Sequence, residues 1–513
     1  MKRRTEKFLR ILLVGCMTAM LCTAVGCSEA KTAEEHAEIE AQSDPGVFEA
    51  RQESEALTKA ETLREAETLQ EAETLHETEA LQELKTVQEA APLPQPETEE
   101  TIERPKVRGI YVTGPMAGTE NMNNLIDLVD RTELNALVIY VKNDEGRVVC
   151  EMNTPTVQKI GAVKRYVRDM PALVEKCKEK NIYLIARIVA FKDPFLAEAK
   201  PEWSLHNADG SIFRDKSGQA WINPYEKRVW DYLLEVAQAA VELGFDEVQF
   251  DYIRFSTDSG MKQVDFGPQA AEKSKTEVIT EFTAYAAERL HEKGAAVSAD
   301  VYGVVIDSEV DQQIVGQDYA EMARHLDYLS PMVYPSHYGP YNYDIPVPDA
   351  QPYDTVLAAM QASKKVLAGM EPKAESEVTE EAVAVSGNSP EKTGMQAAAE
   401  NGSIFGDDIS GNSGEDGSVS GNEVSAQAVE PELTAEEIAS LASLPEVRAD
   451  VRPWLQDFTA TWVSGHIAYG PQQIREQIQA VYDAGYEEWI LWNAANRYTE
   501  GGLLSADSEA AGS

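Results

Sequence analysis

Positive charge is scarce in this chain. Only 45 Lys and Arg stand against 88 Asp and Glu in 513 residues, a formal net charge of −43. Recognition of a phosphate backbone needs clustered cations, so nucleic acid is excluded as a partner. Cysteine is scarce too: of five, three lie in the first 27 residues. The remaining Cys150 and Cys177 are too few for a disulfide framework and lack metal-ligand spacing, so they read as ordinary residues. The seven histidines, at 36, 76, 206, 291, 325, 337 and 466, contain no HxH or HExxH pair. A His-rich metal centre is therefore not expected. No G-x-S-x-G elbow or Walker loop appears, and "YVTGPMAGTENM" after the first strand is not a dinucleotide turn. No cofactor is implied.

What is there begins with processing signals. Met1-Lys2-Arg3-Arg4 precedes an apolar run over 8–25, the pattern of a secretory signal. Ala24-Val25-Gly26-Cys27 resembles the lipobox of bacterial lipoproteins, which implies cleavage before Cys27 and a lipid on its thiol. Leu13-Val14-Gly15-Cys16 fits that motif better locally but would leave too short an apolar core. The expectation is a membrane-anchored protein facing the extracytoplasmic side, with an uncleaved anchor as the alternative. Residues 28–104 form a Glu-rich spacer, in which Leu57, Leu63, Leu69, Leu75 and Leu81 recur every six residues. Six residues turn a helix by about 240°, so these leucines make no coiled-coil seam. A second biased segment, 371–445, is rich in Gly, Ser, Asn and Glu and lacks the apolar content for a core. It reads as a disordered insertion with a short helix near 434–443.

Between these segments strands alternate with helices. Apolar runs rich in branched residues occur at 109–112, 136–141, 183–190, 247–255, 296–302, 328–334, 454–458 and 488–492. "RVWDYLLEVAQAAVELG" and "PQQIREQIQAVYDAGY" carry helical periodicity, and Gly244, Gly294 and Gly485 stand where helices should stop. Eight such units predict an α/β fold, a (β/α)₈ barrel built from 105–370 and 446–500 with a short tail at 501–513. An open doubly wound sheet is the alternative. The insertion then follows the sixth helix and leaves from the face opposite the strand C-termini.

In such barrels the working groups project from the strand C-termini. Read in order, those positions hold Tyr111, Lys142, Arg187, Asp251 with Arg254, Asp300, Tyr334 with His337, Asp457, and Trp492 with Asn493. A purely structural interior needs Val, Ile and Leu there, so the set points to a site. Carboxylates in pairs suit glycosidic bond cleavage, where one protonates the leaving oxygen and the other attacks or activates water. Arginines can lower one carboxylate pKa while burial raises another. Trp203, Trp221, Trp454, Trp462, Trp492, Tyr334 and Tyr338 supply rings that stack on sugars, although core packing is the commoner role for any one of them.

The segments "RGIYVT", "IARIVAF", "WINPYEKRVWDY", "VQFDYIRF", "SADVYG", "SPMVYPSHY" and "RPWLQDF" resemble a bacterial glycoside hydrolase family distantly related to the α-amylase-like barrels. The resemblance spans about 107–496 and implies a TIM barrel acting on carbohydrate. In α-amylase-like barrels the nucleophile ends strand four, which nominates Asp251. The general acid ends strand five, where Asp300 stands in place of the usual Glu. Other retaining barrels carry the second carboxylate on strand seven, which nominates Asp457 instead. Arg187 and Arg254 are expected to orient carboxylates or sugar hydroxyls. Tyr111, Lys142, Tyr334, His337, Trp492 and Asn493 would line the cleft. The rival is a non-catalytic glycan- or peptidoglycan-binding barrel.

Overall fold

Strands buried on both faces need near-continuous apolar runs, and the eight runs form parallel strands of this kind. The structure is a computed structural model and describes residues 104–370 and 433–506. The Cys27 anchor, nearly all of the spacer, most of the insertion and half of the tail lie outside the described residues. The strands are β1 (Arg108–Val112), β2 (Ala136–Lys142), β3 (Tyr183–Val189), β4 (Glu247–Asp251), β5 (Ala296–Tyr302) and β6 (Tyr328–Met332). A seventh, β7, comes in two pieces, Asp450–Val451 and Trp454–Gln456, and β8 is Trp489–Trp492. Each pairs in parallel with the next, and β8 returns to β1 with Trp489 beside Arg108. The sheet is thus a closed eight-stranded barrel, and the open-sheet alternative is excluded.

A helix follows each of the first seven strands: α1 (Met122–Arg131), α2 (Met170–Lys178), α3 (Lys227–Glu242), α4 (Lys275–His291), α5 (Tyr319–Ala323), α6 (Pro352–Leu367) and α7 (Pro471–Asp483). In α3, Val229, Leu233, Val236, Ala237 and Ala240 are buried, the stripe that a 3.6-residue period lays against the barrel. Burying Leu233 or Val229 contributes about 2 kcal/mol each. Ser274 and Glu277 form a capping box that starts α4. Gly485, after α7, has φ 79°, and a Cβ there would lie 2.3 Å from the Ala439 carbonyl oxygen. Two cores result: strands against helices outside, and Val138, Ile185, Trp454 and Ile490 within the barrel.

Beneath that inner core lies a floor of charge. Arg452, fully buried, donates to both oxygens of Glu247 (3.0 and 3.1 Å) and to Glu488 (2.8 Å). Tyr183 and Ser298 donate to Glu247 as well. Burial holds the Glu247 carboxyl above its usual range despite Arg452. At the same end the chain leaves α6 and resumes at the short helix Ala435–Ala439, capped by Thr434 and Glu437. The Leu444 N–H donates to the Leu367 carbonyl at 2.8 Å, tying this return to the end of α6.

The largest departure from an expected strand length is at β4. β4 stops at Asp251 rather than running to 255, because Tyr252 adopts a left-handed φ of 49° that no strand continues.

Candidate active site at the mouth of the barrel

Strand alternation sends Arg187 of β3, Asp251 of β4 and Asp300 of β5 inward near the C-terminal mouth. There one guanidinium serves both carboxylates. Arg187 Nη2 donates to Asp251 Oδ2, and its Nε donates to Asp300 Oδ2 at 3.4 Å. Each carboxylate has a second donor: the Tyr252 N–H on Asp251 Oδ1 and Trp454 Nε1 on Asp300 Oδ1, both at 2.6 Å. Asp251 is 4% exposed and Asp300 2%.

Burial pushes the Asp300 carboxyl up to about 7, against the opposing pull of Arg187 and the Trp454 indole. At neutral pH such a group carries a proton about half the time, the condition for a proton donor. Asp251 likewise accepts from the guanidinium and from one N–H, here of the backbone.

Rings form the wall. Tyr111 and Tyr140 flank Arg187, with centroids 5.6 and 4.1 Å from its guanidinium carbon. Tyr111 stacks on Trp492 at 6.3 Å, and Trp492 meets Tyr334 at 5.7 Å and Phe458 at 5.3 Å. Phe458 stacks in turn on Trp462, whose ring is 48% exposed. His337 stands against Tyr334 and Phe458, and burial lowers its imidazole to about 4, so it is neutral at physiological pH.

Of the residues expected at the site, Tyr111, Arg187, Asp251, Asp300, Tyr334, His337 and Trp492 are brought together. Lys142 is not. A register shift between Tyr140 and Lys142 gives Lys142 the parity of Ile188, so it turns toward the helices. There it is fully buried, 2.8 Å from Asp193 and from the Val189 carbonyl at 2.7 Å. Asp457 is also displaced. It follows the end of β7 on the parity of Leu455, and Thr499 donates to both its oxygens through its N–H (2.8 Å) and hydroxyl (2.6 Å). Asn493 braces that loop, donating to the Asp457 carbonyl and accepting from the Ala495 N–H. Arg254 lies at the mouth, beyond Tyr252 and away from both aspartates. Tyr140 and Phe458 were missed: the shift that removes Lys142 leaves Tyr140 facing inward, and Phe458 lies past its strand. Among the described residues no three His, Cys, Asp or Glu side chains converge as metal ligands.

A family described as "Putative glycosyl hydrolase domain" matches residues 109–377 and 422–498. Among solved structures, a hypothetical protein from Ruminiclostridium thermocellum is 42% identical over 37% of this chain and 97% of its own, with a TM-score of 0.35. The glycoside hydrolase domain of PgaB (BpsB) from Bordetella bronchiseptica is 11% identical over 79% of this chain and 98% of its own, at 0.46. The spore cortex-lytic enzyme SleL of Bacillus megaterium is 12% identical over 80% and 77%, at 0.36. No protein of curated function matches the chain.

Proposed function

The chain belongs to the glycosyl hydrolase domain family that matches both barrel segments, and on that premise we propose that Asp251 and Asp300 cleave a glycosidic bond in an oligo- or polysaccharide. The observation that carries the assignment is the pair of buried aspartates on one guanidinium, with the Asp300 carboxyl raised to about 7. Asp300 gives its proton to the leaving oxygen. Asp251 attacks the anomeric carbon or takes a proton from water. Arg187 holds the two acids together, and the Trp454 N–H fixes the rotamer of Asp300. Tyr334, Trp492, Phe458 and Trp462 offer successive faces on which sugar rings stack.

Asp251→Asn keeps the shape and an acceptor for Arg187 while removing the charge. Turnover in a panel of polysaccharides and muropeptides should fall by about 10²- to 10⁴-fold in protein that circular dichroism shows to be folded. Turnover that survives the change removes Asp251 from the mechanism.

One observation favours a barrel that binds glycans without cleaving them: all four carboxylate oxygens already accept a hydrogen bond, as in a structural ion pair. Under that reading glycan affinity survives Asp251→Asn but not Trp492→Ala, and no panel member is ever hydrolysed.

A further inference from the structure

Two cations at the mouth are not answered by the candidate acids. Lys192 lies three residues past the end of β3, and Arg254 three past the end of β4. Arg254 is 6% exposed, yet among the described residues it makes no ion pair. Its Nη1 donates to the Phe255 carbonyl at 2.8 Å. The guanidinium otherwise lies among rings, its carbon 4.5 Å from the centroid of Tyr302, 4.9 Å from Tyr252 and 5.2 Å from Trp221. The Lys192 ammonium stands 4.8 Å from the same Tyr252 ring, with the half-exposed Asp144 carboxylate 3.7 Å away. Asp215, which also borders Tyr252, is occupied by the Trp221 indole N–H (3.0 Å) and the N–H groups of Ser217 and Gln219.

The other buried arginines of this barrel each have carboxylate partners. Arg452 is neutralised by Glu247 and Glu488, and Arg187 by Asp251 and Asp300. Ring faces return only part of the hydration a guanidinium loses, and burying one without a counter-ion is costly. Arg254 bears that cost beside the site, in a chain whose formal net charge is −43. Tyr252 links the two places, since its N–H bonds Asp251 while its ring faces both cations.

From this we infer that Arg254 and Lys192 form a subsite for a sugar bearing a carboxylate, one ring removed from the bond to be cleaved. The planar guanidinium fork matches a carboxylate, and the ammonium adds a second charge. The inference rests on the glycoside-cleaving reading. Two kinds of sugar present this chemistry: a uronic acid, and an amino sugar with a lactyl ether.

Calorimetry on the whole protein with an oligogalacturonide and with a peptide-free disaccharide ending in N-acetylmuramic acid, each beside its carboxyl-reduced alcohol, tests it and separates the two sources. In one arm the acidic form should bind about 10- to 100-fold more tightly than the alcohol, the margin of a charge-assisted bond. Arg254→Gln should abolish that margin and Arg254→Lys keep part of it. If the glutamine variant does not fold, the comparison of acid with alcohol on the unaltered protein still decides. Equal affinity for acid and alcohol, or no binding in either arm, overturns the subsite. Glycan turnover is scored separately: cleavage of acidic and reduced forms at equal rates removes the subsite alone. Acid preference that persists while Asp251→Asn stays active removes the catalytic assignment alone.

Discussion

Asp300 is the residue whose chemistry is most exposed to test. Its carboxyl sits between two opposing influences: burial raises it, while the Arg187 guanidinium and the Trp454 indole lower it, and burial wins. A proton donor works only in its acid form. The sign follows: kcat/KM should be full below about pH 6 on this limb and fall tenfold per unit above about pH 7 as Asp300 ionises. Trp454→Phe removes a donor to the carboxylate, which favours the acid form further, so the limb should move to higher pH. A pH–rate profile of both proteins on one glycan reads this directly. An unmoved limb assigns the ionisation to another group. His337 is no substitute, since it is already neutral well below this range.

At the scale of elements, the barrel is held at its floor by groups that its hydrophobic pattern conceals. Arg452 joins β4 to β7 and, through Glu488, to the start of β8. Arg452→Met would leave Glu247 buried without a cation and Glu488 with only Lys106, 3.7 Å away, at a cost of about 3–5 kcal/mol, visible as a lower denaturation midpoint at unchanged m-value. Adding Glu247→Gln and Glu488→Gln should recover part of the loss. A single mutant as stable as the parent would mean that the floor is neutral by protonation. This floor was not legible beforehand, because an ion pair made across three strands leaves no local signature in any of them. The β2 register shift escaped for a related reason. One extra residue between Tyr140 and Lys142 leaves Tyr140 inward and turns Lys142 outward, where a regular strand would face both inward, and the apolar run is satisfied either way. Asp251, Arg187 and Asp300 were legible because they lie within regular strands at or near the C-terminal ends, where alternation alone decides which side chains face the mouth. Asp457, beyond its strand, was not.

For the whole molecule, strand–helix alternation made the closed barrel legible, since each helix stop and buried run can be read locally. Closure needs only that all eight be present. The same topology fixes where the long acidic insertion can do no harm. It departs after α6 and returns before β7, at the end of the barrel where Arg448 and Ala449 donate to the Ala323 carbonyl and Asp450 to that of Asp327. The catalytic candidates lie at the opposite end, and the family match itself breaks between 377 and 422. The helix Ala435–Ala439 and the Leu444–Leu367 bond belong to the barrel wall and have to stay. Removing 374–427 and closing the gap with a short Gly-Ser linker should therefore leave the melting temperature within a few degrees, since loop length enters closure entropy only logarithmically. Glycan turnover per folded molecule should be unchanged. A folded deletion mutant that has lost turnover would show that the segment acts at the mouth.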